Sequence, residues 1–260
     1  MLDVGHSLQG RLTTLSKFWF TLLTTKIPDI QTHYVSLGVP QSLHGKLLGS
    51  LAAQLQRSSM VVRRLKVLPI ESIVRGYITG SAWSSYQKDG TVCGIELPKG
   101  LRESEKLEKP LWTPSTKAAA GEKDENISPR EGTYSLKVPS NRVTTGKPYP
   151  WLTFEAANII GKEYALQVET LSLRIYEAAS DYARSQGIIL ADTKFEFGLD
   201  ETTSPPSVVL IDEVLTPDSS RFWSVEKYEV GKSQESFDKQ LLRDWLVRRA
   251  EREGRGRATT

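Results

Sequence analysis

The stretch that decides the fold is ADTKFEFGLDETTSPPSVVLIDEVLTPDSSRFW, residues 191–223, and its charges fall where the pattern otherwise predicts core strands. Asp192, Lys194 and Glu196 alternate with threonine and phenylalanine residues. Because alternate residues of a strand share a face, these three charged side chains are predicted to point together. The apolar run 208–211 predicts a second strand that returns antiparallel and completes a hairpin.

The second strand ends in Asp212-Glu213, where a charge without a partner or ligand would be costly. Cross-strand neighbours lie within about 5 Å, so either acid can reach the charged face of the first strand. Magnesium takes one or two carboxylates and completes its shell with phosphate oxygens and water. The alternative is an exposed strand face on which Lys194 pairs with its acidic neighbours. Alternation alone favours that alternative, and Asp212-Glu213 shifts the balance towards a metal or phosphate site.

The segment TPDSSR, residues 216–221, follows this strand and offers a tight turn, hydroxyl groups and a guanidinium. Arg221 can hold a phosphate or a carboxylate through two parallel hydrogen bonds. Ser219 and Ser220 can equally serve as ordinary turn or capping residues. The segment is therefore a candidate anion site.

A second candidate anion site is VRGYITGSAW, residues 74–83. Its glycines allow backbone N–H groups to approach a ligand, and Arg75 supplies charge. Ser81 is predicted to cap a helix over residues 82–88, whose positive N-terminus would face the ligand. The spacing matches neither a P-loop nor a dinucleotide fingerprint, and the alternative is a glycine turn between strand and helix.

A third candidate is TPSTK, residues 113–117, which continues to GEKDEN at residues 121–126. Its hydroxyls, lysines and acids could recognise a small zwitterion or close over substrates. The alternative is a solvated surface loop over residues 110–129, where apolar residues are sparse. Residues 129–150 lack periodicity and are predicted to be an insertion, a disordered loop or a retained intron.

Helical spacing of apolar residues predicts three longer helices. The first begins near Leu12 and ends before Pro28. The second begins near Asn158 and ends at a left-handed cap at Gly187, and the third begins at Phe237. Their mixture with the predicted strands favours an α+β fold with largely antiparallel strands over a regular βαβ alternation.

Two further extended segments are predicted at residues 59–68 and 71–78. The single cysteine, Cys93, excludes an internal disulfide and a cysteine-based zinc site. No apolar stretch approaches the length of a membrane span, and the N-terminus lacks the pattern of a secretory signal. The expectation is a soluble cytoplasmic protein that binds no membrane.

The net charge of +3 depends largely on a basic C-terminal stretch. Its arginines are Arg243, Arg248, Arg249, Arg252, Arg255 and Arg257. A basic tail can bind nucleic acid, but it is more often a solvated helix end. Since no basic stripe interleaved with aromatics occurs elsewhere, no nucleic-acid partner is predicted.

Four segments together resemble the SAICAR synthetases, the phosphoribosylaminoimidazole-succinocarboxamide synthases, in their fungal form. They are VRGYITGSAW (74–83), TPSTKAAAGEKDENIS (113–128), ADTKFEFG (191–198) and IDEVLTPDSSRFW (211–223). The resemblance implies an α+β, kinase-like and ATP-grasp-related fold of two lobes. It also implies a ligase that joins L-aspartate to the carboxylate of an aminoimidazole ribonucleotide, CAIR, using ATP and magnesium. The carboxylate would first become an acyl phosphate, which the aspartate amine then attacks.

The resemblance also assigns a nucleotide side to this sequence. Glu196 and Asp212 match the acids around magnesium and the ATP phosphates, and Lys194 and Asp192 are catalytic candidates beside them. The strand 62–68 resembles the segment along adenine. The ATP-binding residues that the resemblance implies are Arg64 and Lys66 in this strand and Glu71 beyond it.

On the substrate side, the resemblance assigns Arg75, Ser81, Ser220 and Arg221 to the CAIR phosphate and ribose. Three more residues fall in the segment associated with the substrates. They are Ser115, Lys117 and Asp124.

The family carries an N-terminal sheet with a glycine-containing strand motif over the ATP phosphates, and this motif is not found here. The expectation is a chain truncated at its N-terminus. Residues 1–69 would be the remnant of the ATP-binding lobe, and residues 70–260 the larger substrate lobe with an insertion near 129–150. A catalytically impaired metabolite-binding relative is the alternative function. The oligomeric state is not predicted.

Overall fold

The computed structural model describes residues 8–43, 46, 49–117 and 156–237. The helices are α1 (Leu8–Lys26), α2 (Gly49–Ser58), α3 (Gly80–Asp89) and α4 (Lys162–Ser185), with a 3-10 turn at Gln41–Leu43. The first strands are β1 (Tyr34–Leu37), β2 (Met60–Val62), β3 (Lys66–Val67), β4 (Ile70–Tyr77), β5 (Thr91–Val92) and β6 (Ile95–Glu96). The remaining strands are β7 (Lys106–Trp112), β8 (Ser115–Thr116), β9 (Ile188–Asp200), β10 (Ser207–Ile211) and β11 (Ser220–Ser224).

The long strand β9 organises a seven-stranded sheet within the described part of the chain. Strands β10 and β3 pair with its C-terminal half, and β4 and β11 pair with its N-terminal half. Strands β7 and β8 extend the sheet from β4. All of these pairings are antiparallel, which confirms the predicted α+β class and the predicted hairpin of β9 and β10.

The alternation along β9 separates a core face from a polar face. Phe195 and Phe197 are buried in the core cluster, together with Val168 and Ile175 of α4. Lys194 is exposed, and Asp192 and Glu196 are partly exposed. The apolar stripe predicted for the second long helix therefore covers one face of the sheet, and the charged residues of β9 lie on the other.

A chain of buried hydrogen bonds fastens α4 to the sheet. The indole of Trp112 donates to the hydroxyl of Ser72 at 2.6 Å, and the Ser72 and Ser172 hydroxyls lie 2.6 Å apart. Ser172 in turn donates to the carbonyl of Val168. Each polar atom in this series of hydrogen bonds has a partner. Burial of these groups therefore leaves no donor or acceptor unsatisfied.

The two described long helices lie close to their predicted limits. Helix α1 ends before Pro28, and its Trp19 ring packs edge-on against Tyr182 of α4 with centroids 5.8 Å apart. Helix α4 is followed by Gly187 in the left-handed conformation, as the sequence predicts. Gly90 ends α3 in the same conformation.

Three local predictions were wrong. The extended segment 59–68 divides into β2 and β3, because β2 pairs with β1 whereas β3 pairs with β9. The supposed surface loop begins with β7 and β8, since Leu111 and Trp112 are buried by pairing with β4. Helix α3 is capped by Thr79 rather than Ser81, with no side-chain capping bond.

Several predictions fall outside the described residues. These are the insertion at 129–150, the helix after Phe237, Asp124 and the C-terminal arginines. The division into two lobes at residue 69 stays a prediction.

Candidate functional site

A cleft of about 200 Å³ opens on the polar face of the sheet, between β4, β9 and the start of α3. Its lining residues are Glu71, Ile73, Arg75, Ser81, Ser115, Asp192, Lys194 and Arg221. All but Ile73 are candidates from the sequence. The antiparallel register brings them together, because Ile73 lies opposite Lys194 and Arg75 lies opposite Asp192.

Asp192 lies between the two arginines of the cleft. Its Oδ2 is 3.1 Å from Nη1 of Arg221 and 3.9 Å from Nη1 of Arg75. Arg75 is 6% exposed, and its Nε donates a hydrogen bond of 2.9 Å to the hydroxyl of Thr113. Two guanidinium groups share one carboxylate, so this end of the cleft keeps a positive charge that suits an anion.

Helix α3 begins directly beneath the Arg221 guanidinium. Gly80 adopts φ +56°, and a Cβ there would lie 2.8 Å from Nη1 and 3.0 Å from Nη2 of Arg221. Ser81 contacts Arg75 through a long hydrogen bond of 3.4 Å. A helix N-terminus attracts negative charge, so its position beside two arginines reinforces the preference for a phosphate or carboxylate.

The turn before β11 holds Ser220 and Arg221 in place. The amides of Ser219 and Ser220 donate to the carbonyl of Thr216 at 3.1 and 2.9 Å. The Ser220 hydroxyl is buried and lies 2.7 Å from that of Thr193. Ser220 thus joins β11 to β9, whereas Arg221 reaches into the cleft.

Two lysine–glutamate pairs lie at the other end of the polar face. Lys194 pairs with Glu71 across β9 and β4, and Lys117 pairs with Glu196 at 2.5 Å. Between them, Ser115 is 2% exposed, and its hydroxyl has no hydrogen-bond partner among the described residues. An orphaned hydroxyl that lines a cleft is well placed to bind a polar ligand atom.

Asp212 follows β10 immediately after Ile211, the partner of Glu196. Its side chain is exposed and its φ is +62°, so the chain turns sharply at this residue. The Asp212 amide donates to Nδ1 of His33 at 3.2 Å. Burial lowers the pKa of His33 to about 4, so its imidazole is neutral at neutral pH.

Glu196 and Asp212 are the carboxylates of this face that could hold magnesium. No group of three or more histidine, cysteine, aspartate or glutamate side chains forms a metal cluster within the described residues. Glu196 and Asp212 can supply two carboxylates, and Mg²⁺ bound with a nucleotide needs few protein ligands because phosphates and water complete its shell. The pair therefore suits a metal that arrives with a phosphate ligand.

Two ATP candidates do not line this cleft. Arg64 and Lys66 are exposed, and Lys66 pairs with Glu201 at 3.0 Å. Two contacts of the site were not predicted, although Thr113 lies in the candidate segment TPSTK. Thr113 orients Arg75, and His33 binds the Asp212 amide, although His33 is 179 residues away in sequence. No local signal marks either role.

The fold and the cleft define an α+β protein with an anion site, formed by two arginines and a helix N-terminus, beside the carboxylates of Glu196 and Asp212. Residues 9–257 match the model of the family described as SAICAR synthetase. The chain belongs to the SAICAR synthetase family, whose members are ATP-dependent amide-forming ligases of purine biosynthesis. This confirms the predicted family and enzyme class.

Named relatives support this membership. A phosphoribosylaminoimidazole-succinocarboxamide synthase of Pichia angusta is 49% identical over 95% of this chain and 73% of its own length. The Saccharomyces cerevisiae enzyme of the same name is 45% identical over 91% of this chain and 69% of its own length. A solved SAICAR synthase from Saccharomyces cerevisiae, complexed with SAICAR, has a TM-score of 0.72 at 42% identity, covering 93% of this chain and 71% of that one.

Within the described residues, no helix combines the length and the apolar character needed to cross a bilayer.

Proposed function

We propose that this chain ligates L-aspartate to the carboxylate of CAIR and that the cleft beside α3 binds the CAIR phosphate. The observation that carries the proposal is the pair of guanidinium groups held by Asp192 above the N-terminus of α3. A phosphate monoester is a compact anion with oxygens that match both guanidinium groups and helix amides. Asp192 then serves to orient Arg75 and Arg221 rather than to exchange a proton.

The charged end of β9 suits the phosphoryl-transfer half of the reaction. A carboxylate oxygen of CAIR attacks the γ-phosphorus of ATP, ADP leaves, and the amine of aspartate displaces phosphate from the acyl phosphate. Catalysis of such transfers depends on positioning and charge neutralisation. Magnesium, when bound with ATP by Glu196 and Asp212, would neutralise phosphate charge. Lys194 lies between Asp192 and Glu196 along the polar face of β9 and lines the cleft, which supports a role in binding phosphate oxygens.

We infer that Ser115 and Lys117 bind the reacting ends of the substrates. The Ser115 hydroxyl is buried in the cleft wall without a hydrogen-bond partner among the described residues, and Lys117 lies beside Glu196. A hydroxyl donor and an ammonium group suit a carboxylate of aspartate or CAIR. Asp124, Arg64 and Lys66 keep their sequence-based assignments as predictions, and so does the cytoplasmic location.

The test is ADP release by the purified chain. We expect release that requires Mg²⁺, L-aspartate and CAIR together, with SAICAR as the product. Arg221→Met should raise the KM for CAIR at least about tenfold, the loss of one charge-assisted contact. Arg102→Met is the matched control, because Arg102 is exposed and pairs only with Glu105 among the described residues.

Two outcomes would contradict the proposal. A folded chain that releases no ADP with all three reactants present would exclude ligase activity, and CAIR binding without turnover would favour the metabolite-binding alternative. Equal KM values for the Arg221 and Arg102 variants would refute the assigned phosphate site.

A further inference from the structure

The side chain of His33 accepts a hydrogen bond that a backbone carbonyl would accept in a regular parallel ladder. Thr32 forms a parallel bridge with Leu210, in which Leu210 donates to the carbonyl of Gln31 and His33 donates to the carbonyl of Leu210. The next bond of such a ladder would run from the Asp212 amide to the His33 carbonyl. That amide instead donates to the His33 side chain, at 3.2 Å from Nδ1.

The His33 carbonyl is occupied elsewhere. It accepts the amide of Arg63 at 2.8 Å, at the end of β2. His33 is 7% exposed, and its ring lies 5.4 Å from that of Phe20, centroid to centroid. The residue is thus held by its backbone on two sides and by its ring on a third, and only Nδ1 faces the Asp212 amide.

The hydrogen bond to the imidazole, in place of the carbonyl, goes with an unusual backbone conformation at Asp212. A regular ladder would keep Asp212 extended, whereas the bond to the side chain accompanies φ +62° at this residue. The left-handed region is tolerated by aspartate, but it determines the direction in which the carboxylate leaves the main chain. The imidazole therefore fixes the direction of an exposed carboxylate that no regular strand would present in this way.

We propose that His33 is a positioning residue that aims the Asp212 carboxylate at the divalent cation. The inference rests on the proposed function, in which Asp212 and Glu196 hold magnesium with ATP. His33 touches neither metal nor substrate, and it acts through the amide of Asp212. Partners of this kind, one bond removed from the metal, typically change metal affinity or activity by about 10- to 100-fold when they are replaced.

Two substitutions separate the hydrogen bond from the packing. His33→Asn keeps an acceptor in the place of Nδ1, because the amide oxygen of asparagine is also attached to Cγ. This variant loses the ring. His33→Phe keeps a ring against Phe20 but offers no acceptor. If His33 only packs against its neighbours, His33→Phe should affect Mn²⁺ binding less than His33→Asn does. If His33 positions Asp212, His33→Phe should affect Mn²⁺ binding more.

Mn²⁺ binding in the presence of ADP is measured from the electron paramagnetic resonance signal of the free ion. Mg²⁺ titrations of ADP release are the second measurement. We expect His33→Phe to weaken Mn²⁺ binding at least about tenfold and to raise the half-saturating Mg²⁺ equally. The KM for CAIR should stay within about twofold, since Arg75 and Arg221 are untouched. His33→Asn should recover most of the Mn²⁺ affinity.

Thermal unfolding of both variants shows whether each is folded. Should His33→Phe fail to fold, His33→Asn still decides, because a tenfold loss of Mn²⁺ affinity in that folded variant would contradict the proposal. Unchanged Mn²⁺ binding in a folded His33→Phe protein would also overturn it. A wild-type chain that binds Mn²⁺ with ADP but releases no ADP with the substrates would refute the proposed function and leave the role of His33 open to the same binding test.

Discussion

Replacing Gly80 by alanine should damage the phosphate site through Arg221. The new Cβ would lie 2.8 Å from Nη1 and 3.0 Å from Nη2, so the guanidinium must move by roughly half an ångström to reach ordinary contact. Asp192, 3.1 Å from Nη1, opposes that movement. Loss of one hydrogen bond to a charged group costs about 1.5–3 kcal/mol, which corresponds to about a 10- to 100-fold higher KM for CAIR.

Gly90 provides a matched control at the other end of α3. It has φ +76°, and a Cβ there would meet nothing within 4 Å. Either alanine substitution should lower the free energy of unfolding by about 1–2 kcal/mol, because both residues are left-handed. Only Gly80→Ala should also raise the KM for CAIR.

The assay is steady-state ADP release with CAIR as the varied substrate, accompanied by urea unfolding of each variant. The reasoning would be refuted by Gly80→Ala and Gly90→Ala proteins with the same KM for CAIR. It would also fail if Gly80→Ala altered the half-saturating Mg²⁺ and left CAIR binding unchanged, since Arg221 lies at the arginine end of the cleft.

Two predictions concern stability. Gly76→Ala should lower the free energy of unfolding by about 2–4 kcal/mol, because its Cβ would lie 1.8 Å from the Tyr176 hydroxyl, which donates to the Leu190 carbonyl. In urea unfolding, the double variant Gly76→Ala, Tyr176→Phe should lose less than the sum of the two single variants. Without metal, His33 should contribute about 3 kcal/mol to the fall in unfolding free energy between pH 7 and pH 4, because its pKa is lowered to about 4 and the unfolded chain takes up the proton first. An equally steep loss in His33→Asn would contradict the second prediction.

Local patterns were sufficient for the elements that alternate or repeat strongly. The period of two along residues 191–200 correctly separated Phe195 and Phe197 from the charged face, because a strand buries alternate residues whatever its partners are. The apolar stripe of α4 and the glycine after it were equally legible. Both patterns depend on neighbours within one element.

Composition misled where pairing partners came from elsewhere in the chain. The stretch after Pro110 is polar on average and was predicted to be a loop, yet Leu111 and Trp112 are buried beside β4. The extended segment before Pro69 contains two strands because its halves find partners in different sheets. Neither partner is visible in a local window of sequence.

The sequence by itself determined the kinds of groups in the site and, through four motifs, the family. Acids and a lysine alternate on one strand, and two arginines lie in separate glycine- or serine-containing segments. The tertiary structure alone decided that Asp192 lies between Arg75 and Arg221, and that a histidine far away in sequence accepts the hydrogen bond of the Asp212 amide. Antiparallel register and the end of a parallel ladder produce these contacts, and both arise from hydrogen bonds between segments that are distant along the chain.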